Sequence, residues 1–152
     1  MSWELQAIDK ICEEIRTKQF INEKTAILQL SYEYSGLLAQ LLSHKLSTKN
    51  EPIDIEPVNI PYKSEFEAII HPNQIDSYER LIVVDSGCLS GNNFKKIKTK
   101  LLDYGFSEDN LLFCCVACST ISVFKPDICP IYFDGKNDMV HFWWETKTNR
   151  FD

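Results

Sequence analysis

Long apolar runs are missing from this sequence. No stretch of its 152 residues approaches the about 20 apolar residues that a membrane-spanning helix needs, so no membrane association is expected. Glycine and proline are few, at 5 and 6, which excludes collagen-like and low-complexity chains. Basic charge is in deficit. Lys and Arg number 16 against 22 for Asp and Glu, giving a formal net charge of −6. A free nucleic-acid binder usually carries a basic face, whereas the overall field of this chain repels polyanions. Nucleic acid is therefore not an expected partner. The opening residues Met1-Ser2-Trp3-Glu4 lack the basic-then-apolar pattern of a secretory signal, and a cytoplasmic location is expected.

What is present reads as one globular domain over residues 1–152. Hydrophobic residues make up 44% and charged residues 25%, ordinary values for a packed chain. A domain near this length buries roughly 70% of its unfolded surface and needs no covalent staples. The six cysteines are then expected to be reduced thiols. Cys114, Cys115 and Cys118 sit in the apolar stretch 111–118; Cys12, Cys88 and Cys129 are scattered. Cys115-x-x-Cys118 has the spacing to seed a zinc site, with Cys129 and His141 as further ligands. The favoured alternative is that these thiols are small hydrophobes in a buried strand.

Periodicity gives an alternation of helices and strands. Leu5, Ile8, Cys12 and Ile15 predict a helix over about 3–18, and Leu37, Leu38, Leu41, Leu42 and Leu46 a second one. Residues 25–30 read as a short buried strand. Residues 52–60 read as an edge strand limited by Pro52 and Pro57. Residues 61–80 predict an irregular connection with a short strand or helical turn. Leu81-Ile82-Val83-Val84 is an uninterrupted apolar run, the pattern of a central parallel strand, ending at Asp85. Phe94, Ile97, Leu101 and Tyr104 follow at helical spacing, with Gly105 as a stop. Residues 111–117, 131–133 and 140–144 read as further strands, the last two divided by the turn pair Asp134-Gly135. The expected class is α/β: a mainly parallel twisted sheet flanked by helices.

The chemistry concentrates in residues 81–94. A buried strand ends in a carboxylate, a loop of small residues follows, and a helix begins at once. Ligands of open parallel sheets bind beyond the carboxyl ends of the strands. A helix start offers unpaired N–H groups and a positive dipole end. Gly91 lets the backbone approach an anion, and Ser90, Asn92 and Asn93 add hydrogen-bonding side chains, so Ser90 to Asn93 are the candidate phosphate-binding residues. The bland alternative is an ordinary strand–loop–helix with Ser or Asn as N-cap.

This segment resembles the phosphate-binding signature of the type I phosphoribosyltransferases: four apolar residues, two acids, three variable positions, then Thr-Gly-x-Thr. It maps onto Leu81–Val84, Asp85, Ser86, Gly87-Cys88-Leu89 and Ser90-Gly91-Asn92-Asn93. Residues 26–46 resemble the family's first strand, pyrophosphate loop and following helix. Residues 123–145, with Lys125-Pro126-Asp127 and an aromatic-rich end, resemble the C-terminal part of its 6-oxopurine (hypoxanthine/xanthine-guanine) branch. The resemblance implies a type I phosphoribosyltransferase-like fold with a small C-terminal or hood element. It implies transfer of ribose 5-phosphate from phosphoribosyl pyrophosphate to a base, with Mg as cofactor if the chain is active. By the same resemblance Asp85 is the candidate catalytic and metal-binding acid, Lys125 the contact to a 6-oxo group, and Met139 and Val140 the base-stacking position.

The chain departs from the pattern where chemistry is done. Ser86 stands at the second acid, Leu89 replaces the acid that acts near the base, and Tyr32-Glu33 replaces a basic residue followed by glycine. Leucine neither moves a proton nor carries charge. The expectation is a phosphoribosyltransferase-like domain that binds a nucleotide or a ribose 5-phosphate moiety with little or no transferase activity, as a sensor or complex subunit. The alternatives are an active purine phosphoribosyltransferase and another group-transfer or hydrolytic chemistry on the same scaffold. The expected partner is a phosphorylated nucleoside or sugar phosphate, and the expected assembly a homodimer or a larger complex.

Overall fold

The computed structural model describes residues 1–30, 35–58, 70–136, 140 and 142. Helix α1 (Trp3–Thr17) is capped by Ser2, whose Oγ accepts the N–H of Leu5 at 3.3 Å. Its Ala7, Ile8, Ile11, Cys12 and Ile15 are buried, one stripe at three- and four-residue spacing. Strand β1 (Thr25–Gln29) is followed by α2 (Ser35–Lys45) and β2 (Asp54–Pro57). The short helix α3 (Pro72–Ile75) starts on a proline, whose missing N–H costs nothing in a first turn. Then come β3 (Arg80–Cys88), α4 (Asn92–Asp103), a single 3-10 turn at 108–110, β4 (Leu111–Ser119) and β5 (Ile131–Phe133).

The strands form one wholly parallel sheet in the order β2-β1-β3-β4-β5. Two apolar layers cover it. Ile27, Ile82, Val84, Cys114 and Val116 meet α1 and α2 on one face. Ala26, Leu28, Leu81, Val83, Phe113 and Cys115 meet α4 and Ile75 on the other. Every residue of β4 is buried, which is why this strand reads as a continuous apolar run without alternation. On the α4 side the rings of Phe94, Phe113 and Phe124 meet pairwise with centroids 5.0–5.4 Å apart. Truncating such a ring in a core costs about 3–5 kcal/mol.

The topology fixes where a ligand can sit. From β1 the chain leaves through α2 to β2 on one side; from β3 it leaves through α4 to β4 on the other. The strand order therefore reverses between β1 and β3, the switch point beyond whose carboxyl ends open α/β sheets bind their ligands. The connection after β1, residues 31–34, lies outside the described residues, and Glu33 with it.

Three expectations are corrected. The central strand does not end at Asp85. It runs to Cys88, because the small residues Ser86, Gly87 and Cys88 pair on alongside β4, with Gly87 opposite Ala117 and Cys88 opposite Cys118. The second helix begins at Ser35, before its first leucine. Val140 and Phe142, the two described residues of the expected strand at 140–144, are not in a strand. Phe142 instead folds back against the ring of Trp3, centroids 5.8 Å apart, and lies over Gly87. No helix among the described residues is long and apolar enough to cross a membrane.

Candidate functional site

The candidate phosphate turn is built by β3 and α4. Gly91 is the N-cap of α4 with φ +82°, a left-handed conformation that glycine adopts without strain. A second constraint fixes it as glycine. A Cβ here would lie 2.7 Å from the backbone nitrogen of Phe124 and 2.8 Å from its Cβ, and would strike the hydroxyl of Ser122. The close approach that Gly91 permits is thus first of all to the 120–124 loop of its own chain. That loop is tied down by the N–H of Val123, which donates to the carbonyl of Ser90 at 2.8 Å. Ser122 and Phe124 carry no signal in the sequence as site residues. Their role comes from chain packing at a glycine.

Around this turn Ser90, Asn92 and Asn93 are exposed. The Ser90 Oγ accepts the N–H of Asn92 at 3.2 Å. No side chain of the N-cap position caps α4. The N–H groups of Asn93 and Phe94 fall in the first turn, where no helical carbonyl reaches them. Two amides, a positive dipole end and exposed carboxamides make a cradle suited to a phosphate monoester.

Asp85 is half-buried inside β3, level with Cys115, and Ser86 beside it is buried. Both are engaged in contacts of their own. Asp85 is the one carboxylate between residues 81 and 94. Among the described residues no group of three His, Cys, Asp or Glu side chains is placed to hold a metal ion; His141, a ligand of the zinc reading on Cys115 and Cys118, lies outside them. One carboxylate still suits magnesium carried in on a substrate, since that ion commonly takes one or two carboxylates together with substrate phosphates. Leu89, at the position of the acid near the base, is 58% exposed.

The Lys125-Pro126-Asp127 segment follows directly on the loop that holds the turn. Lys125 is exposed. Asp127 is structural: its carboxylate accepts the N–H of Phe113 at 2.8 Å, while its own N–H donates to the Phe113 carbonyl at 2.9 Å. This pins the segment beside β4, with Ile128 bridging Cys114 in parallel. Val140 is half-buried and packs on the α1–α2 side of the core. Met139 and His141 lie outside the described residues. Of the lysine run on α4, Lys98 is engaged, binding Glu108 at 2.6 Å and standing 5.9 Å over the Phe124 ring.

No family model matches the chain, and no curated protein matches it in sequence. Solved structures do match. A purine phosphoribosyltransferase from Pyrococcus horikoshii superposes with a TM-score of 0.64 at 16% identity, over 88% of this chain and 86% of that one. A hypoxanthine-guanine phosphoribosyltransferase from Bacillus anthracis gives 0.67 at 14%, over 86% and 77%. A xanthine-guanine-hypoxanthine phosphoribosyltransferase from Helicobacter pylori gives 0.60 at 15%, over 86% and 79%. The five-stranded parallel sheet flanked by helices is the type I phosphoribosyltransferase fold, as the sequence resemblance implies.

Proposed function

We propose that this phosphoribosyltransferase-like domain binds the phosphate of a nucleotide or of a ribose 5-phosphate moiety at the turn entering α4, with little or no transfer of its own. The observation that carries the reading is the turn entering α4, where a left-handed Gly91 is the N-cap and Ser90, Asn92 and Asn93 are exposed beyond the carboxyl end of β3. Weak transfer follows from Leu89 and Ser86, an alkyl group and a buried hydroxyl where the resemblance puts acids. The domain then acts as a sensor or a subunit of an assembly.

The test is ligand-linked melting. A ligand that binds only the folded chain raises its melting temperature. Purine nucleoside 5′-phosphates should raise it, and the parent nucleosides should not. Asn93→Asp places a negative charge at the helix start, where it suits the dipole of the free protein but repels a phosphate. The variant should melt no lower than wild type yet lose the nucleotide shift. Equal shifts with nucleoside and nucleotide would refute the reading.

The runner-up is an active purine phosphoribosyltransferase using phosphoribosyl pyrophosphate and magnesium. It is favoured by Asp85 in β3 and by an intact Lys125-Pro126-Asp127. Asp85 would hold the ion together with substrate oxygens, and the ion would neutralise charge on the departing pyrophosphate.

A further inference from the structure

Four of the six thiols gather at one place that the phosphate reading does not use. In β3 the residues Leu81 and Val83 face α4, and strict alternation would turn Cys88 to the opposite face; Cys88 nevertheless joins the α4-side cluster. In β4 the same happens: Phe113 and Cys115 face α4, Val116 and Ala117 face away, and Cys118 faces α4 again. The slip occurs at the same level in both strands, so the register survives and Cys88 stands directly opposite Cys118 on one face. Residues opposite one another on neighbouring strands are about 4.8 Å apart. A disulfide spans Cα separations of about 4.4–6.8 Å.

The pair has two more thiols near it: Cys115 and Cys129 belong to the same α4-side cluster as Cys88 and Cys118. The Cys88 Sγ lies 3.3 Å from the Ser122 Oγ. The hydrogen bond from Cys115 favours a thiolate on Cys118 and lowers its pKa, whereas burial raises that of Cys88. A thiolate beside a protonated thiol is the arrangement that attacks a peroxide and is then resolved. Both residues are at most 5% exposed, under the 120–124 loop whose Ile121 and Val123 are exposed.

We propose that Cys88 and Cys118 are a peroxide-oxidisable pair that closes into a cross-strand disulfide beside the turn entering α4. The Cys118 sulfur attacks one oxygen of hydrogen peroxide. The O–O bond breaks, hydroxide leaves and takes a proton as water, and Cys118 becomes a sulfenic acid. The Cys88 sulfur then attacks that sulfur, the S–O bond breaks, and the hydroxyl leaves with the Cys88 proton as a second water. Two thiols and one peroxide give one disulfide and two waters. The pairing does not depend on the ligand proposed above, because its readout is a covalent bond in the free protein.

The test treats the reduced full-length chain with hydrogen peroxide, blocks remaining thiols and maps unreduced peptides by mass spectrometry. The expected result is loss of two thiols per chain and a peptide linking Cys88 to Cys118. The C12S/C114S variant, altered on the opposite face, should form the same link. Cys88→Ser should stop at a sulfenic acid on Cys118 that dimedone traps. A Cys115–Cys129 link, a link between chains, overoxidation of Cys118 without a link, or retention of all six thiols would each overturn the proposal. The wild-type peptide map decides the pairing by itself, so the test stands even where a variant fails to fold.

Discussion

The N–H of Val123 donates to the carbonyl of Ser90 at 2.8 Å, joining the turn at the head of α4 to the loop that leaves β4. The bond has partners on both sides. Gly91 packs on Ser122 and Phe124, and the Phe124 ring sits against Phe94 of α4. The turn is therefore not a loose flap between a strand and a helix. Its backbone is held from outside by the connection that goes on to Lys125-Pro126-Asp127, so the candidate phosphate turn and the candidate base contact belong to one packed unit.

Gly91→Ala is expected to destabilise the fold through two effects. Left-handed backbone costs a non-glycine residue about 1–2 kcal/mol, and the new methyl group meets backbone of Phe124. Gly105 separates the two. Its φ is +101°, and nothing lies within 4 Å of where its Cβ would be. Gly105→Ala should thus show the conformational cost alone, and Gly91→Ala a larger loss. Urea unfolding of both variants measures the difference; equal losses would mean that the contacts at Gly91 add no cost.

Asp127→Ala should also destabilise, although the residue is exposed. It deletes a charged acceptor of the Phe113 N–H in the most buried strand. Hydrogen bonds to charged groups are worth about 1.5–3 kcal/mol. At this chain length each kcal/mol shifts the melting temperature by about 2–4 °C. Asp127→Asn keeps an acceptor and should lose less. If both variants melt like wild type, the contact contributes nothing and the segment is held by Ile128 alone.

The sheet was legible because its strands are buried on both faces: residues 25–29, 81–84 and 111–117 leave no room for another reading. The edge strand was legible from its prolines. The far end of β3 was not. Ser86-Gly87-Cys88 has the composition of a loop, and only the unbroken burial of β4 next to it makes a strand of those three residues. The same limit applies to the thiols. Cys115-x-x-Cys118 is visible as a spacing, but a slip in alternation puts both on one face, and Cys88 joins them only through pairing. At the site, Gly91 was recognisable as a glycine that a turn requires. That its neighbour is Phe124 is a tertiary fact with no local signal.

Tyr78 gives a pH-dependent prediction. Its hydroxyl donates to Asp54 at 2.8 Å and Glu56 at 3.2 Å, fastening the β2–β3 connection to edge strand β2. Burial, reinforced by the hydrogen bond to Asp54, raises its pKa above the usual value of about 10. A folded-state pKa above the unfolded one gives stability that is whole below about pH 10 and falls as pH rises through the window above it. Tyr78→Phe should therefore cost about 0.5–1.5 kcal/mol at pH 7. The gap from wild type should narrow above pH 10 in denaturant titrations. A gap independent of pH would mean that the phenol contributes by packing.

Lys125→Met tests the base. If the lysine donates to a 6-oxo group, guanine and hypoxanthine nucleotides should bind better than adenine ones, by about tenfold for a 1.4 kcal/mol difference. The variant should lose that preference and keep its affinity for the phosphate, which the α4 turn supplies. Calorimetric titration with guanosine, inosine and adenosine 5′-monophosphates reads both quantities. A preference that survives in the variant would return Lys125 to the role of an exposed surface residue.

Turnover is the sharpest division between the two functional readings. By the resemblance, Leu89 stands where an acid would accept or donate a proton near the base, a loss that typically costs about 10²–10⁴-fold. Ser86 leaves no charge at the second acid position, and losing an electrostatic stabiliser costs about 10²–10³-fold. Such losses do not add strictly, because groups that act together fail together. Either is still large enough to take a slow enzyme below detection. With phosphoribosyl pyrophosphate and magnesium present, no pyrophosphate release is expected with guanine, hypoxanthine, xanthine, adenine, uracil or orotate. Sustained release with any of these bases, abolished by Asp85→Asn, would establish the active enzyme instead. Asp85 would then be the working acid, acting from inside β3 rather than from its end, and the partner carboxylate would have to come from a residue other than Ser86 or Leu89.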